Sequence, residues 1–171
     1  LNYSVDYVGN PSVDSVAYYK EHQAIPKDTF IKEEGLANKP ILALLSGSRK
    51  QEIKDNLPTM LKVASAYPDY QPVIAGAPGI DPAYYQEYIG SYPAKIVFGK
   101  TYPLLQHSAA ALVTSGTATL ETALFRVPQV VCYYVVAGQL ASFIFKHFFH
   151  TKYISLVNLI AGREVVQELF G

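Results

Sequence analysis

The chain has 171 residues, of which 50% are hydrophobic and 16% charged, and its 14 Lys and Arg residues balance 14 Asp and Glu residues. This composition excludes intrinsic disorder, and a neutral chain has no overall positive field to attract nucleic acid. A single cysteine, Cys132, excludes an intramolecular disulfide framework and multi-cysteine metal sites. The length fits one compact domain, or two at most.

The first part of the chain has no clear hydrophobic period. Residues 5–8 are typical of a strand and residues 9–11 of a turn that follows it. We expect residues 1–27 to be a linker or the start of a domain. The charged stretch at residues 28–39, which contains a glycine, indicates a surface loop.

Five short apolar runs follow and alternate with segments of helical spacing. The runs lie at residues 41–45, 72–75, 95–98, 109–113 and 129–134. Each predicts a strand buried on both faces, because its apolar residues are continuous and do not alternate with polar ones. The alternation of strands and helices along the chain predicts an α/β domain of the Rossmann-like type, with a mostly parallel sheet and helices on both faces.

The two ends of the chain predict that it belongs to a longer protein. It begins with Leu1, has no basic-then-apolar leader, and closes on residues 165–170, which look like the start of a helix. A function shared between two domains would then be only half contained in these residues.

The turn after the first predicted buried strand is a candidate anion site. Ligands of open parallel sheets bind beyond the carboxyl ends of the strands, and here Ser46, Gly47, Ser48 and Arg49 occupy that place. Small residues let backbone N–H groups approach an anion, and arginine offers a planar fork to phosphate oxygens. The turn lacks the Gly-Lys-Ser/Thr of a Walker A loop. An ordinary helix cap is the alternative.

A second candidate turn follows the fourth strand. Ser115 is suited to cap the next helix, and Gly116 leaves room above the helix end for a phosphate or a ribose. A serine-hydrolase nucleophile at Ser115 is excluded, because the nucleophile elbow needs glycine where Val113 stands.

The helix that begins there carries a candidate ribose ligand. Thr117 and Glu121 are four residues apart and therefore share one helix face, which we expect to lie opposite a sheet-packing face made by Leu120 and Leu124. A carboxylate in that place can accept hydrogen bonds from two vicinal ribose hydroxyls. The alternative is a solvated glutamate on a capped helix.

Residues 127–145 contain no charge and reach the length of a membrane span. Proline, glycine and β-branched residues interrupt the stretch, so a buried strand followed by a helix fits it better. Residues 143–149 are rich in phenylalanine beside basic groups, which suits a membrane surface or a packing surface for another domain. His147 and His150 lack a third ligand nearby, so we predict no metal site.

Three blocks in this order resemble the lipid-A-disaccharide synthase family. They are residues 44–49 (LLSGSR) with the Glu-Ile and Leu-Pro pairs that follow, residues 115–121 (SGTATLE) with Pro128, and residues 153–163 (YISLVNLIAGR). The resemblance runs over nearly the whole chain. It implies a two-domain glycosyltransferase of the B-type (GT-B) fold, of which residues 1–171 are the C-terminal, UDP-binding domain, with the N-terminal domain and the last helices absent.

The resemblance also implies a reaction. The family joins UDP-2,3-diacylglucosamine to 2,3-diacylglucosamine 1-phosphate and releases UDP, a step in lipid A biosynthesis in Gram-negative bacteria. The expected partners are these two acylated glucosamines and the inner membrane surface, to which the enzyme would be peripherally bound from the cytoplasm. No cofactor or metal is expected, and the general base would come from the N-terminal domain.

Site roles carry over by motif. Four residues, namely Ser48, Arg49, Gly116 and Thr117, would contact the diphosphate, whereas Glu121 would hold the ribose. Ser115 and Asn158 would line the same cleft. Strand position alone places Phe98, Gly99 and Tyr102 beside the uracil.

The sequence departs from the family at a few positions and leaves other functions open. Ser46 stands where proline is common, Asn10 where histidine is more typical, and Gln167 where proline often occurs. The alternatives are another B-type enzyme, either a UDP-GlcNAc 2-epimerase or the peptidoglycan GlcNAc transferase, and a non-catalytic domain that binds a membrane or a partner. Acyl-chain length and oligomeric state are left undetermined.

Overall fold

A computed structural model describes residue 6 and residues 9–114, 116–133 and 153–170, with residue 170 described by its backbone only. The helices are α1 Pro11–His22, α2 Lys27–Glu33, α3 Lys50–Ser65, α4 Pro82–Ile89, α5 Thr101–His107, α6 Thr117–Leu124 and α7 Leu156–Ala161. The strands are β1 Ile41–Leu45, β2 Gln71–Gly76, β3 Lys95–Phe98, β4 Ser108–Thr114, β5 Gln129–Tyr133 and β6 Gln167–Phe170.

The six strands form one sheet in the order β3-β2-β1-β4-β5-β6. Every neighbouring pair is parallel, as in the pairs Leu44↔Ile74 and Leu45↔Val113. The chain order reverses between β1 and β4, which is the switch point where ligands of doubly wound sheets bind. The predicted Rossmann-like α/β fold is confirmed, and so is the presence of its five predicted strands. The predicted burial on both faces is confirmed for β1 and β2 but is wrong for β3, which lies at the edge of the sheet and is exposed at Lys95 and Phe98.

Helices cover both faces of the sheet, as the continuous apolar runs predicted. On one face Phe30 of α2 and Leu104 and Leu105 of α5 are fully buried against the strands. On the other face α3 and α4 bury a second cluster that includes Leu57 and Tyr85. Burying each such side chain stabilises the fold by about 1.5–3 kcal/mol, so the two layers hold the strand ends in place.

The predictions for the first 39 residues were wrong at two places. The stretch taken for a surface loop contains α2, whose Phe30 is fully buried. A seven-residue helix with one buried side chain has too few apolar positions to show a period. The predicted turn is a helix start, because Asn10 Oδ1 accepts the Ser12 N–H at 3.0 Å and Pro11 opens α1. Residues 11–22 of the stretch expected to be a linker or the start of a domain are therefore helical. The strand predicted at residues 5–8 lies outside the described residues except for residue 6.

The end of the chain was also mispredicted. Residues 165–170 contain β6, which pairs with β5 from Val130↔Gln167 to Tyr133↔Phe170. Four residues are too few to separate a strand from a helix by periodicity. Of the uncharged stretch at residues 127–145, the strand is confirmed as β5, and the helix predicted after it lies outside the described residues.

Candidate functional site

The two candidate turns leave the sheet side by side. Leu45 and Val113 are the last pair in the register between β1 and β4, so the turns after these two strands start side by side at the carboxyl edge. Ser46 Oγ and Thr114 Oγ1 follow directly, and both are buried without a hydrogen-bond partner among the described residues. The predicted diphosphate turns therefore share one edge of the sheet.

The turn before α3 holds an anion of its own, the Glu52 carboxylate. Glu52 Oε2 accepts the Ser48 N–H at 2.8 Å and the Arg49 N–H at 3.2 Å, and Glu52 Oε1 accepts Arg49 Nη1 at 2.7 Å. Gly47 makes room for it, because its φ is 109° and a Cβ there would lie 2.5 Å from Glu52 Cβ. Partial burial opposes ionisation, but these hydrogen bonds prevail and lower the pKa of Glu52.

The start of α6 is open. Its N-cap is Gly116, with φ 142°, no side-chain cap and no atom within 4 Å of the place a Cβ would take. Within the described part of the chain, Gly116 and Thr117 are exposed, so the start of the helix is accessible there. Ser115, predicted as a cap and a cleft residue, lies outside the described residues.

The buried face of α6 differs from the prediction. Thr119 and Thr122 are fully buried, whereas Leu120 and Leu124 are only half-buried. Both threonines tolerate burial because their hydroxyls donate to the carbonyls of Gly116 at 2.8 Å and of residue 118 at 2.7 Å.

A cavity of about 400 Å³ opens beyond the carboxyl end of β3. Its lining residues are Tyr19, Gln23, Ile25, Gly99, Lys100, Thr101, Tyr102 and Pro103. Two of the three residues predicted beside the uracil therefore line it. Phe98 does not, because its ring packs over Gly76 and against Tyr85, at 5.8 Å between ring centroids, on the other face of the sheet.

A hydrogen bond joins this cavity to the predicted ribose ligand. The Tyr102 hydroxyl donates to Glu121 Oε1 at 2.9 Å. The Tyr102 ring packs against Tyr19, at 5.5 Å between centroids, and against Phe125, at 5.4 Å. Burial and the neighbouring carboxylate raise the pKa of Tyr102 to about 12, so the phenol stays protonated at physiological pH. Glu121 does not line the cavity itself, but it is half-buried and bonded to a residue of the cavity wall.

The contribution of α1 to the site was not predicted. Tyr19 and Gln23, from α1 and its end, form one wall of the cavity, and the Tyr19 hydroxyl donates to Gln106 Oε1 of α5 at 2.6 Å. The signal that could have found this helix is Asn10 followed by Pro11, a cap and a first-turn proline.

Asn158 is placed differently from its predicted cleft-lining role, since it is fully buried. Its Oδ1 accepts the N–H groups of Val165 at 2.8 Å and Val166 at 3.0 Å, while its Nδ2 donates to Val166 O and to Glu168 Oε1, both at 2.8 Å. All four bonding positions of the amide are used within the chain. Asn158 therefore ties α7 to β6.

The described part of the chain contains neither a metal-binding cluster nor a membrane-spanning helix. There, no group of three or more His, Cys, Asp or Glu side chains is arranged to hold a metal ion. None of the helices formed by residues 9–114, 116–133 and 153–170 is long and apolar enough to cross a membrane. His147, His150 and the phenylalanine-rich residues 143–149 lie outside the described residues.

Fold and site together define a Rossmann-like α/β domain with a candidate ligand site at the carboxyl edge of its sheet. A model of the lipid-A-disaccharide synthetase family matches residues 1–171. The chain belongs to that family, which supports the resemblance over the epimerase and peptidoglycan transferase alternatives.

Individual relatives agree with this assignment. The lipid-A-disaccharide synthase of Solibacter usitatus (strain Ellin6076) is 34% identical over 168 residues, which are 95% of this chain and 42% of that protein. That of Persephonella marina (strain DSM 14350 / EX-H1) is 33% identical over 179 residues, with 98% and 45% covered. The chain thus spans less than half the length of these relatives.

A solved structure shares the fold. The glycosyl transferase family 9 protein from Veillonella parvula DSM 2008 superposes with a TM-score of 0.52 at 14% sequence identity, covering 96% of this chain and 42% of that one. At that identity the likeness concerns the fold alone.

Proposed function

We propose that this chain is the C-terminal, UDP-binding domain of a two-domain glycosyltransferase of the B-type fold. The observation that carries the proposal is the hydrogen bond between Tyr102 and Glu121, because it joins the wall of a cavity of about 400 Å³ to the Glu121 carboxylate. A cavity of that size falls in the range of small-molecule sites, and it lies where open parallel sheets bind nucleotides. Uracil would enter the cavity and the ribose hydroxyls would reach Glu121.

The diphosphate would lie across the two neighbouring turns. Gly116 and Thr117 present the open start of α6, and Ser48 and Arg49 present two N–H groups and a guanidinium. Because Glu52 now occupies those groups, the diphosphate must displace its carboxylate or share the donors with it. Arginine and helix-end N–H groups would stabilise the leaving UDP, so the proposal requires no metal or other cofactor.

For the whole protein we propose the reaction of its family. It would join UDP-2,3-diacylglucosamine to 2,3-diacylglucosamine 1-phosphate in lipid A biosynthesis, with the general base in the N-terminal domain. Acylated substrates imply contact with the inner membrane from the cytoplasm. A product assay on the full-length protein, comparing the monosaccharide lipid acceptor with a polyprenyl acceptor, tests this: turnover of only the polyprenyl acceptor would refute it.

Titration calorimetry of the full-length protein with UDP tests the site. Arg49→Ala and Glu121→Ala should each weaken UDP binding by about tenfold or more, since each removes charge-assisted contacts. Lys62→Ala and Glu87→Ala change exposed charges on α3 and α4 and should leave binding unchanged. Absence of UDP binding at millimolar concentration to a folded protein would overturn the assignment.

Membrane contact has a separate test. Liposome flotation of the protein should be weakened by Phe148→Ser combined with Phe149→Ser, a choice made from the sequence alone. Strong flotation without any UDP binding would favour the non-catalytic membrane-binding alternative.

A further inference from the structure

We infer that Tyr102 is a positioning residue, which holds the Glu121 carboxylate in the orientation that reads the ribose hydroxyls. The inference rests on the proposed UDP site and adds to it a determinant of specificity between ribose and deoxyribose. It adds to the expected place of Tyr102 beside the uracil a role that acts through Glu121.

The first step is the bond itself. Tyr102 Oη donates to Glu121 Oε1 at 2.9 Å, and no other hydrogen bond to this carboxylate is found in the described part of the chain. An ionised carboxylate has about four lone-pair positions on its two oxygens, so one bond from Tyr102 leaves room for two hydroxyl donors. Vicinal 2′- and 3′-hydroxyls are a pair of donors with the spacing to use them.

The second step is that the donor is fixed. Tyr102 opens α5 and its ring packs edge-on to Tyr19 of α1 and tilted against Phe125 at the end of α6. Three elements therefore hold one phenol. Glu121, by contrast, projects from the partly exposed face of an eight-residue helix, where a glutamate samples several rotamers. Fixing such a side chain when the ligand binds costs conformational entropy and so weakens affinity. Because Tyr102 holds Glu121 in one orientation before the ligand binds, it reduces that cost.

The third step is chemical selectivity. A carboxylate held by a single donor is left with unpaired acceptor positions beside the cavity, which a ribose fills and a dideoxyribose does not. Because a hydrogen-bonding site rejects an analogue that lacks the hydroxyl, the discrimination should depend on how well the carboxylate is oriented.

The experiment measures binding of UDP and of 2′,3′-dideoxy-UDP to the full-length protein by calorimetry. Tyr102→Phe keeps the ring and removes only the hydroxyl. We expect it to weaken UDP binding by about tenfold and to leave dideoxy-UDP binding within about twofold, which corresponds to one net hydrogen bond to a charged group. In a Glu121→Gln background the same change should have little further effect, as a double-mutant cycle requires for two coupled groups.

The matched control is Tyr19→Phe. It removes a hydroxyl from the same aromatic cluster and the same cavity, but that hydroxyl bonds Gln106 and not Glu121. Its preference for UDP over dideoxy-UDP should equal that of the unaltered protein. A general loosening of the cluster would lower the preference in both variants and would refute the positioning role.

The outcomes separate the two proposals. If the unaltered protein binds UDP and dideoxy-UDP equally well, the ribose assignment of Glu121 fails. If it prefers UDP and Tyr102→Phe preserves that preference, only the role of Tyr102 fails.

Discussion

Asn158→Ala should release the end of the sheet while leaving the rest of the fold intact. The substitution removes four hydrogen bonds from a fully buried position, two of which satisfy the N–H groups of Val165 and Val166. At about 0.5–1.5 kcal/mol for each of the four bonds, the local loss is about 3 kcal/mol. That corresponds to about 100-fold faster opening of this segment.

Amide hydrogen exchange read by mass spectrometry measures the opening of this segment separately from the rest of the fold, so it does not depend on two-state unfolding of the whole protein. Peptides that cover residues 163–170 should exchange about 100-fold faster in Asn158→Ala, whereas peptides from β1 and β4 should be unchanged. Asn56→Ala is the control, because it removes another buried asparagine whose Nδ2 donates only to Glu52 O in α3. Equal exchange of residues 163–170 in the altered and unaltered proteins would refute the role assigned to the Asn158 amide.

Three further predictions concern Glu168, Glu52 and Phe30. Partial burial opposes ionisation of Glu168, but hydrogen bonds from Ser155, Ile154 and Asn158 outweigh it and lower the pKa of this carboxyl. The ionised carboxylate should therefore stabilise the fold fully above the ordinary pKa of 4.5, and this stabilisation should fade as the pH falls through the lowered pKa. In thermal melts, Glu168→Gln should flatten this loss of stability in acid, and an unchanged acid profile would contradict the prediction. Glu52→Gln should tighten UDP binding by about threefold to tenfold, because a neutral amide holds the Ser48 and Arg49 N–H groups less strongly. Asp55→Asn on the same helix is the control and should leave UDP binding unchanged. Weaker UDP binding by Glu52→Gln would mean that Glu52 organises the turn for the ligand. Phe30→Ala should lower the free energy of unfolding, measured by chemical denaturation, by about 3–5 kcal/mol because the ring is fully buried. Lys32→Ala, at an exposed position of the same helix, should lower it by less than about 0.5 kcal/mol. Similar losses for both variants would show that α2 does not belong to the core.

The fold was predictable where burial is two-sided. The runs that became β1 and β2 are buried at every residue, and this pattern has few explanations other than an interior strand of a parallel sheet. The run that became β3 was also predicted to be buried on both faces, but β3 lies at the edge of the sheet and is exposed at Lys95 and Phe98. α2 and β6 were missed because their position depends on partners distant in sequence: Phe30 finds its place against the sheet, and Gln167 to Phe170 pair with β5. Such contacts leave no local period to detect.

The candidate site divides in the same way. The turn residues Ser48, Arg49 and Gly116 could be proposed from the sequence because the carboxyl ends of parallel strands are known ligand positions. The wall supplied by Tyr19 was not, because α1 reaches the site only through tertiary packing against α5 and α6. Asn158 belongs to a recognisable block, but its sequence could not reveal that every polar atom of its amide is used inside the chain.

Glu52 connects the two interpretations that the first turn left open. The sequence allowed either a helix cap or a phosphate site at Ser48 and Arg49. In the structure the Glu52 carboxylate caps the helix by accepting the N–H groups of both residues. Glutamate three residues after the N-cap is a known capping pattern, so Arg49 and Glu52 carried that signal. The donors that hold the carboxylate are of the kind that bind phosphate. A diphosphate bound at this turn would therefore compete with the tethered Glu52 carboxylate. Its affinity would reflect the difference between the free energies with which the two anions bind the same donors.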